Sequence, residues 1–319
     1  MGLIENPKTY TGRDLETIFF RPIMKGENAT ELGIRMLYNM PVPTTIQLWS
    51  PQEDVLKEYS AGWDGGDSAI RKQKTIELNK IKAEVGFSAA DYFNQVYELI
   101  TGRADVNLDD LTGSELEQAE TEMFRAAIAE SLRLMMWAGD TANTKNNLFD
   151  GFIKRAYSDC IYSVDMSETT IDESNITELF NQMWEQADMR LKSLKNEGNL
   201  AYFVTTDLYE AYERYLDQLG NDHAYTDMVS GRRELTYHGI KIIDMRVSHV
   251  LPTKSIGQNS LCLLTDCRNL ALAVNTSDYP GSEVRMWYNP DEMENRQRAI
   301  FMAGCEVLDE ELTVVAILS

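Results

Sequence analysis

The stretch Ala61-Gly62-Trp63-Asp64-Gly65-Gly66-Asp67 constrains this chain most, because three glycines around one Trp make a turn with the backbone freedom of a hairpin tip. Between Lys80 and Phe87 the alternation is strict: Ile81, Ala83, Val85 and Phe87 fall on one side, Lys80, Lys82 and Glu84 on the other. That period of two predicts a half-buried strand. Opposed to it, Ile46 to Tyr59 reads as the outgoing strand, so residues 44–86 are expected to form a long projecting hairpin. A hairpin with one polar and one apolar edge has too little of its own chain to bury against. It needs a neighbouring subunit.

At 319 residues and 43% hydrophobic content the chain can build at least one full core. Against 30 Lys and Arg stand 51 Asp and Glu, a formal charge of -21, which opposes a grip on phosphate backbones. Apolar runs such as Val314 to Leu318 fall far short of the roughly 20 residues of a membrane span. The first residues lack the basic start and apolar core of a signal peptide, so synthesis in the cytoplasm is expected. Cys160, Cys262, Cys267 and Cys305 form no CxxC pattern and are expected to be reduced, mostly buried thiols.

Residues 1–43 carry scattered apolar side chains and Pro7, Pro22, Pro41 and Pro43, with one short helical stretch expected near Ala29 to Asn39. This reads as an arm ordered on another subunit or left mobile. Ser88 with Asp91 has capping-box spacing, and Tyr92, Val96, Leu99 and Ile100 follow at helical intervals. A second box at Ser114 and Glu117 opens a stripe of Leu116, Ala119, Met123, Ala127, Leu132 and Met135, which predicts a helix roughly 36 Å long ending at Gly139. A brief helix over Leu148 to Tyr157 follows, then one from near Asp172 to Gly198 and another from Asp207 to Gly220. Strands are expected at Leu200 to Val204, Glu234 to Met245, Leu261 to Thr265, Leu270 to Val274, Val284 to Tyr288, Arg298 to Leu308 and Leu312 to Leu318. The fold class is α+β.

No catalytic or metal constellation stands out. Asp105, Asn107 and Asp109 begin like a calcium loop, but Asp110 replaces the required Gly and Leu116 the closing Glu. His223, His238 and His249 lack ligand spacing, and there is no GxSxG, P-loop or GxGxxG. No cofactor is expected. One asymmetry does stand out: Arg71, Lys72, Lys74, Lys80 and Lys82 make a basic island on the hairpin. From Ala104 to Phe124 seven acids, including Asp105, Asp109, Asp110, Glu115 and Glu117, stand without a Lys or Arg. The two segments are complementary. With Trp63 at the tip, the basic hairpin of one subunit is expected to lie over the acidic start of the long helix in the next, setting register more than strength.

This order of parts resembles the major capsid proteins of tailed bacteriophages with the Hong Kong 97 type fold, which encapsulin shells share. Ala61 and Trp63 correspond to the Ala-x-Trp loop motif, Ile81 to Phe87 to the strand after it, Ser88 to Asp91 to the helix start, and Ser114 to Asp140 to the spine helix. Gly239-Ile240-Lys241-Ile242 echoes a recurrent strand. The resemblance implies an N-terminal arm (1–43), an extended hairpin loop (44–86), a peripheral domain with the spine helix (87–157) and an axial domain with a mixed sheet (158–270). Strands over 271–319 would return mainly to the peripheral domain. Gly65, Gly66 and Asp67 stand where many members carry a Glu, so no role tied to that Glu carries over.

What the resemblance implies is a structural protein, not an enzyme, self-assembling as hexamers and pentamers into an icosahedral shell around double-stranded DNA in the virion. Portal, separate scaffold and decoration proteins are the implied partners. An encapsulin-type compartment is the same-fold alternative, and a soluble α+β enzyme the alternative of another class.

Overall fold

A 14-residue strand, Glu294–Val307, is the axis of the molecule, because both of its edges are hydrogen-bonded and both of its faces are packed. The computed structural model describes residues 8–10, 29, 32–39, 44–49, 71–88, 115–219, 235–275, 283–289, 291–292 and 294–318. In chain order the elements begin with β1 (Lys8–Tyr10), β2 (Arg35–Tyr38), β3 (Thr44–Trp49), β4 (Arg71–Ile76) and β5 (Asn79–Ser88). Helices α1 (Glu115–Ala138) and α2 (Phe152–Asp159), strand β6 (Tyr162–Asp165) and helices α3 (Ile176–Gln186) and α4 (Met189–Ser193) follow. Then come β7 (Leu200–Val204), α5 (Thr206–Gln218), β8 (Thr236–Tyr237), β9 (Ile240–Asp244), β10 (Cys262–Asp266), β11 (Leu270–Asn275), β12 (Glu283–Asn289), β13 (Glu294–Val307) and β14 (Thr313–Ile317).

The first sheet has the order β1-β12-β13-β11-β2, with β5 on the other edge of β13. Strands β11 and β12 share one edge in tandem: β11 ends with Asn275 opposite Met302, and β12 resumes with Glu283 opposite Ile300. The period of two then sorts the faces of β13. Ala299, Phe301, Ala303, Cys305 and Val307 enter the main core with Phe124, Ile128, Leu132 and Met135 of α1. The helix covers its expected span, but Ala127 is exposed, and Phe124 and Ile128 supply the buried stripe instead. Burying the larger groups removes more apolar surface from water, about 25 cal/mol per Å².

The second sheet runs β6-β14-β10-β7-β9-β8 and is covered on both sides, which is why β7 and β10 are buried at every position. Phe203, Leu263 and Val315 face the main core. Tyr202, Val204, Leu264 and Val314 face a second core with Phe180, Met183 and Tyr212 of α3 and α5. Of the C-terminal strands, β11, β12 and β13 lie in the first sheet and β14 in the second.

Four expectations are corrected. The helical stretch at Ala29 to Asn39 gives way to β2, which pairs in parallel with β11, and β1 pairs with β12, so parts of the arm are ordered on their own chain. Ladder bonds to a buried partner override local preference there. The single helix from Asp172 to Gly198 breaks after Gln186: Ala187 is extended (ψ 142°), and Asp188 caps α4 by accepting from the Arg190 N–H. The strand from Glu234 to Met245 is a tight hairpin, turning at His238 (φ 49°) and Gly239 (φ 82°). Strand β3 pairs with β4, from Thr44 opposite Ile76 to Trp49 opposite Arg71, whereas the Lys80 to Phe87 strand, β5, pairs with β13. Residues 89–114, including the helix expected after Ser88, lie outside the described residues, as does the hairpin tip with Trp63.

Two glycines end the long helix. The Gly151 N–H donates to the Gly139 carbonyl at 2.8 Å, and a Cβ on Gly139 would lie 2.5 Å from the Met135 and Phe149 carbonyl oxygens. Beside them the fully buried Asp140 accepts from Lys154 Nζ (2.9 Å), the Ala142 N–H (2.9 Å), and the Ser255 N–H (2.8 Å) and hydroxyl (2.9 Å). Burial alone pushes this carboxyl up, but Lys154 and the other donors outweigh it and hold its pKa well below the usual carboxylate range. A depressed folded-state pKa stabilises above the unfolded pKa and is lost as pH falls through the folded one. Lys154→Met is expected to lower unfolding free energy by about 3 kcal/mol at neutral pH, and by less in strong acid, by denaturant titration. An equal loss at both pH values would contradict the Asp140 account.

Candidate functional site

The hairpin root is built on the second face of β13. There Met302, Gly304 and Glu306 alternate outward, followed by Leu308 just past the strand, and each meets the ribbon of β3 and β4 or the charges around it. Met302 and Leu308 join Ile76, Leu78, Ala271 and Ala273 in a small core, with Leu37, Ile46 and Leu48 packed against it. At Gly304 the crossing chain comes closest: a Cβ there would lie 2.1 Å from the Glu77 carbonyl oxygen. No side chain fits between. Glu77 and Leu78 are where the chain leaves the β3 ladder for the β13 ladder, so Gly304 is what lets the hairpin spring from the sheet.

Charges fasten the same crossing. Lys74 Nζ lies 2.7 Å from Glu310 Oε1, 3.4 Å from Asp159 Oδ2 and 3.7 Å from Glu306 Oε1. Burial lowers the Lys74 pKa, but the Glu310 hydrogen bond and the fields of Glu306, Glu310 and Asp159 outweigh it and raise it overall. Arg155 Nη1 approaches Glu306 Oε2 at 3.5 Å from α2. Glu306 is 2% exposed, and burial pushes its pKa up despite Arg155 and Lys74. Lys72 Nζ reaches Glu311 at 3.0 Å, and Arg190 from α4 pairs with Glu311 and with Asp188. The ribbon is thus tied to α2, β13 and the turn before β14.

Of the residues singled out from sequence, Lys72 and Lys74 are brought to acids of their own chain. Lys80 and Lys82 are exposed on β5, with Lys82 Nζ 2.8 Å from Glu84. Arg71 opens β4 opposite Trp49. Glu115 and Glu117 lie in the first turn of α1, while Trp63, Asp105, Asp109 and Asp110 fall outside the described residues. Sequence reasoning missed Glu306, Asp309, Glu310, Glu311, Asp159, Arg155 and Arg190. The available signal was the acid run Asp309-Glu310-Glu311 between two apolar strands of a chain with a basic ribbon.

Other features offer little chemistry. Cys160, Cys262, Cys267 and Cys305 are free, and burial raises the pKa of each, so none is an activated thiolate. Among the described residues no group of three His, Cys, Asp or Glu could hold a metal ion. No described helix is long and apolar enough to cross a membrane. A groove of about 450 Å³ runs between β5 and α1, walled by Ile81, Val85, Phe124, Leu132 and Phe301.

No protein-family model matches the chain, and no curated protein matches it in sequence. Solved structures do match. The procapsid of satellite phage P4 with its size determination protein aligns at TM-score 0.55 and 9% identity, over 99% of this chain and 95% of that one. The capsid of the native GTA particle aligns at TM-score 0.54 and 11% identity, over 99% and 96%. The capsid of cyanophage P-SCSP1u aligns at TM-score 0.52 and 13% identity, over 100% and 97%. The fold is therefore the α+β fold of phage capsid subunits, the Hong Kong 97-like class. Identity is so low that the likeness rests on shape across nearly the whole chain.

Gly304→Ala tests the root directly. The new methyl must push the Glu77 backbone away, and a stability loss of about 2 kcal/mol is expected in guanidinium titration. Unchanged stability would show that the crossing yields at no cost.

Proposed function

We propose that this chain is the major capsid protein of a tailed phage, a structural subunit that assembles through hexamers and pentamers into an icosahedral shell around double-stranded DNA. The observation that carries the reading is the end-to-end match to phage and GTA capsid subunits, which covers between 92% and 100% of this chain. A ribbon leaving the first sheet through a dedicated root supports it, because a projecting hairpin gains order by overlapping a neighbour. Closed symmetry lets many modest contacts sum to a stable particle. These shells, all from phage, satellite phage or GTA particles, favour phage over a cargo compartment.

In this reading the first sheet, α1 and α2 form the peripheral domain, and the second sheet with α3 to α5 the axial domain. The basic-to-acidic contact between copies takes its basic side from Lys80 and Lys82, with Arg71 and Trp63 nearer the tip. Lys72 and Lys74 hold the root within the chain. Its acidic side is Asp105, Asp109, Asp110, Glu115 and Glu117. A portal protein, and separate scaffold or decoration proteins, complete the virion, and synthesis takes place in the host cytoplasm. The protein itself does no catalysis.

A charge of -21 per copy leaves the inner wall unable to condense DNA, so a packaging motor must fill a preformed shell. Electron microscopy of the purified full-length protein is expected to show closed shells or capsomer rings. A monodisperse monomer at high concentration would overturn the reading. Lys80→Glu with Lys82→Glu is expected to cut particle yield about tenfold, and unchanged yield would remove the proposed inter-copy contact. Salt-dependent co-assembly of purified protein with DNA would contradict the motor requirement.

A further inference from the structure

We propose that the groove between β5 and α1 is the seat of this chain's own residues 89–102, which lie outside the described residues and dock there as an amphipathic helix with Tyr92, Phe93, Val96, Leu99 and Ile100 turned inward. The docking is a property of the single chain and does not depend on the shell reading.

The groove, about 450 Å³, opens where α1 leaves part of the sheet uncovered. The odd-numbered residues of β5 belong to the main core, and their cover thins along the strand: Ile81 is 6% exposed, whereas Ala83 and Val85 are half-buried. Across the groove Ala127 of α1 is exposed, and Leu148 at its end is 45% exposed. Strand β5 pairs with β13 and with no other described strand, so the trough runs beside a free edge. An apolar trough in that position marks an interaction site.

The course of the chain names the occupant. Asn146, Asn147 and Leu148, from the loop after α1, close one end of the groove, and β5 starts at that end: the Asn79 side-chain amide donates to the Leu148 carbonyl at 2.9 Å. Strand β5 therefore runs toward the other end, where Ser88 hands over to residues 89–114 and where α1 opens with Glu115. Those residues leave one wall of the groove and arrive at the other. The other long stretches outside the described residues are attached elsewhere. Residues 11–28 join β1 to β2, across β13 from β5; residues 50–70 join β3 to β4, on the opposite face of β13; and residues 220–234 join α5 to β8 of the second sheet.

Sequence and length fit the seat. After the capping box of Ser88 and Asp91, the five apolar side chains fall within an arc of about 120° on a helix, and Asp91, Asn94 and Glu98 fall outside it. Gly102 ends the run. The helix is about 20 Å long, against roughly 17 Å of α1 between Phe124 and Met135. Attachment at the groove's own walls gives the segment an effective concentration on the order of millimolar, which a second copy at micromolar concentration does not match. Docked there, the helix and α1 hold the acidic stretch from Asp105 to Asp110 at both ends.

Thiol labelling of the full-length protein tests this. Ala83→Cys places a thiol in the groove, and its modification by N-ethylmaleimide is followed by peptide mass spectrometry, with the buried Cys262 and Cys305 reporting global unfolding. Adding Val96→Asp and Leu99→Asp is expected to speed labelling at position 83 about tenfold while Cys262 and Cys305 stay unmodified. Without those two changes, the rate at position 83 is expected to be the same at low and high protein concentration. A second variant needs no disruptive change: Glu84→Cys on the groove rim and Gln95→Cys beside the apolar stripe are expected to be joined within one chain by a short bis-maleimide. The proposal is overturned by labelling that ignores the two aspartates, by protection that grows with protein concentration, which would make a second copy the occupant, or by cross-links that are absent or join two chains. If Cys262 and Cys305 are labelled together with position 83, the cross-link decides.

Discussion

One strand has to satisfy two cores at once, and the rest of the structure follows from how β13 does so. Its odd-numbered residues from Ala299 to Val307 fill the space under α1, and its even-numbered residues from Met302 to Glu306, with Leu308 just past its end, receive the ribbon. A shift of register by one residue would put Glu306 under the long helix and Phe301 under the hairpin. Pairing with β5, β11 and β12 along both edges forbids that shift. The sheet thus fixes where the hairpin leaves and in what direction.

Around that strand the second sheet behaves as a plate packed on both sides. Phe203 on one face lies 4.9 Å from Trp137, ring centre to ring centre, which ties the plate to the end of α1. Tyr202 on the other face lies 4.8 Å from Phe180 of α3. Arg133 adds a polar tie by donating to the Met245 carbonyl at 2.8 Å, just past β9. The helix that spans the first sheet is therefore anchored to the second near its C-terminal end, where Gly139, Gly151 and Asp140 lock the following loop.

Strong local periods were legible in the sequence. The span of α1, the strands β7, β10 and β11, and the α+β class are readable from apolar spacing and caps, and the order of parts carried the capsid-fold resemblance. What failed shares a physical cause: partner choice is not local. The alternation of Lys80 to Phe87 shows a half-buried strand, yet nothing within it says that β13, more than 200 residues later, is the partner instead of β3. Lys74 and Glu310 are 236 positions apart, so the clamp is invisible to any window of sequence. The break at Asp188 is a subtler miss, since the apolar stripe continues through it and only the cap marks the interruption. Trp63 and the acids Asp105, Asp109 and Asp110 fall outside the described residues, and the inter-copy contact they belong to remains a proposal.

Strands β11 and β12 lie end to end along a single edge, and the chain leaves that line at Asn275, opposite Met302, and rejoins it at Glu283, opposite Ile300, one pleat further on. Because departure and return are neighbours, closing an excursion twice as long costs only about 0.6 kcal/mol more. This is a natural graft point, where a foreign peptide or a whole small fold could be carried without altering any pairing beneath it.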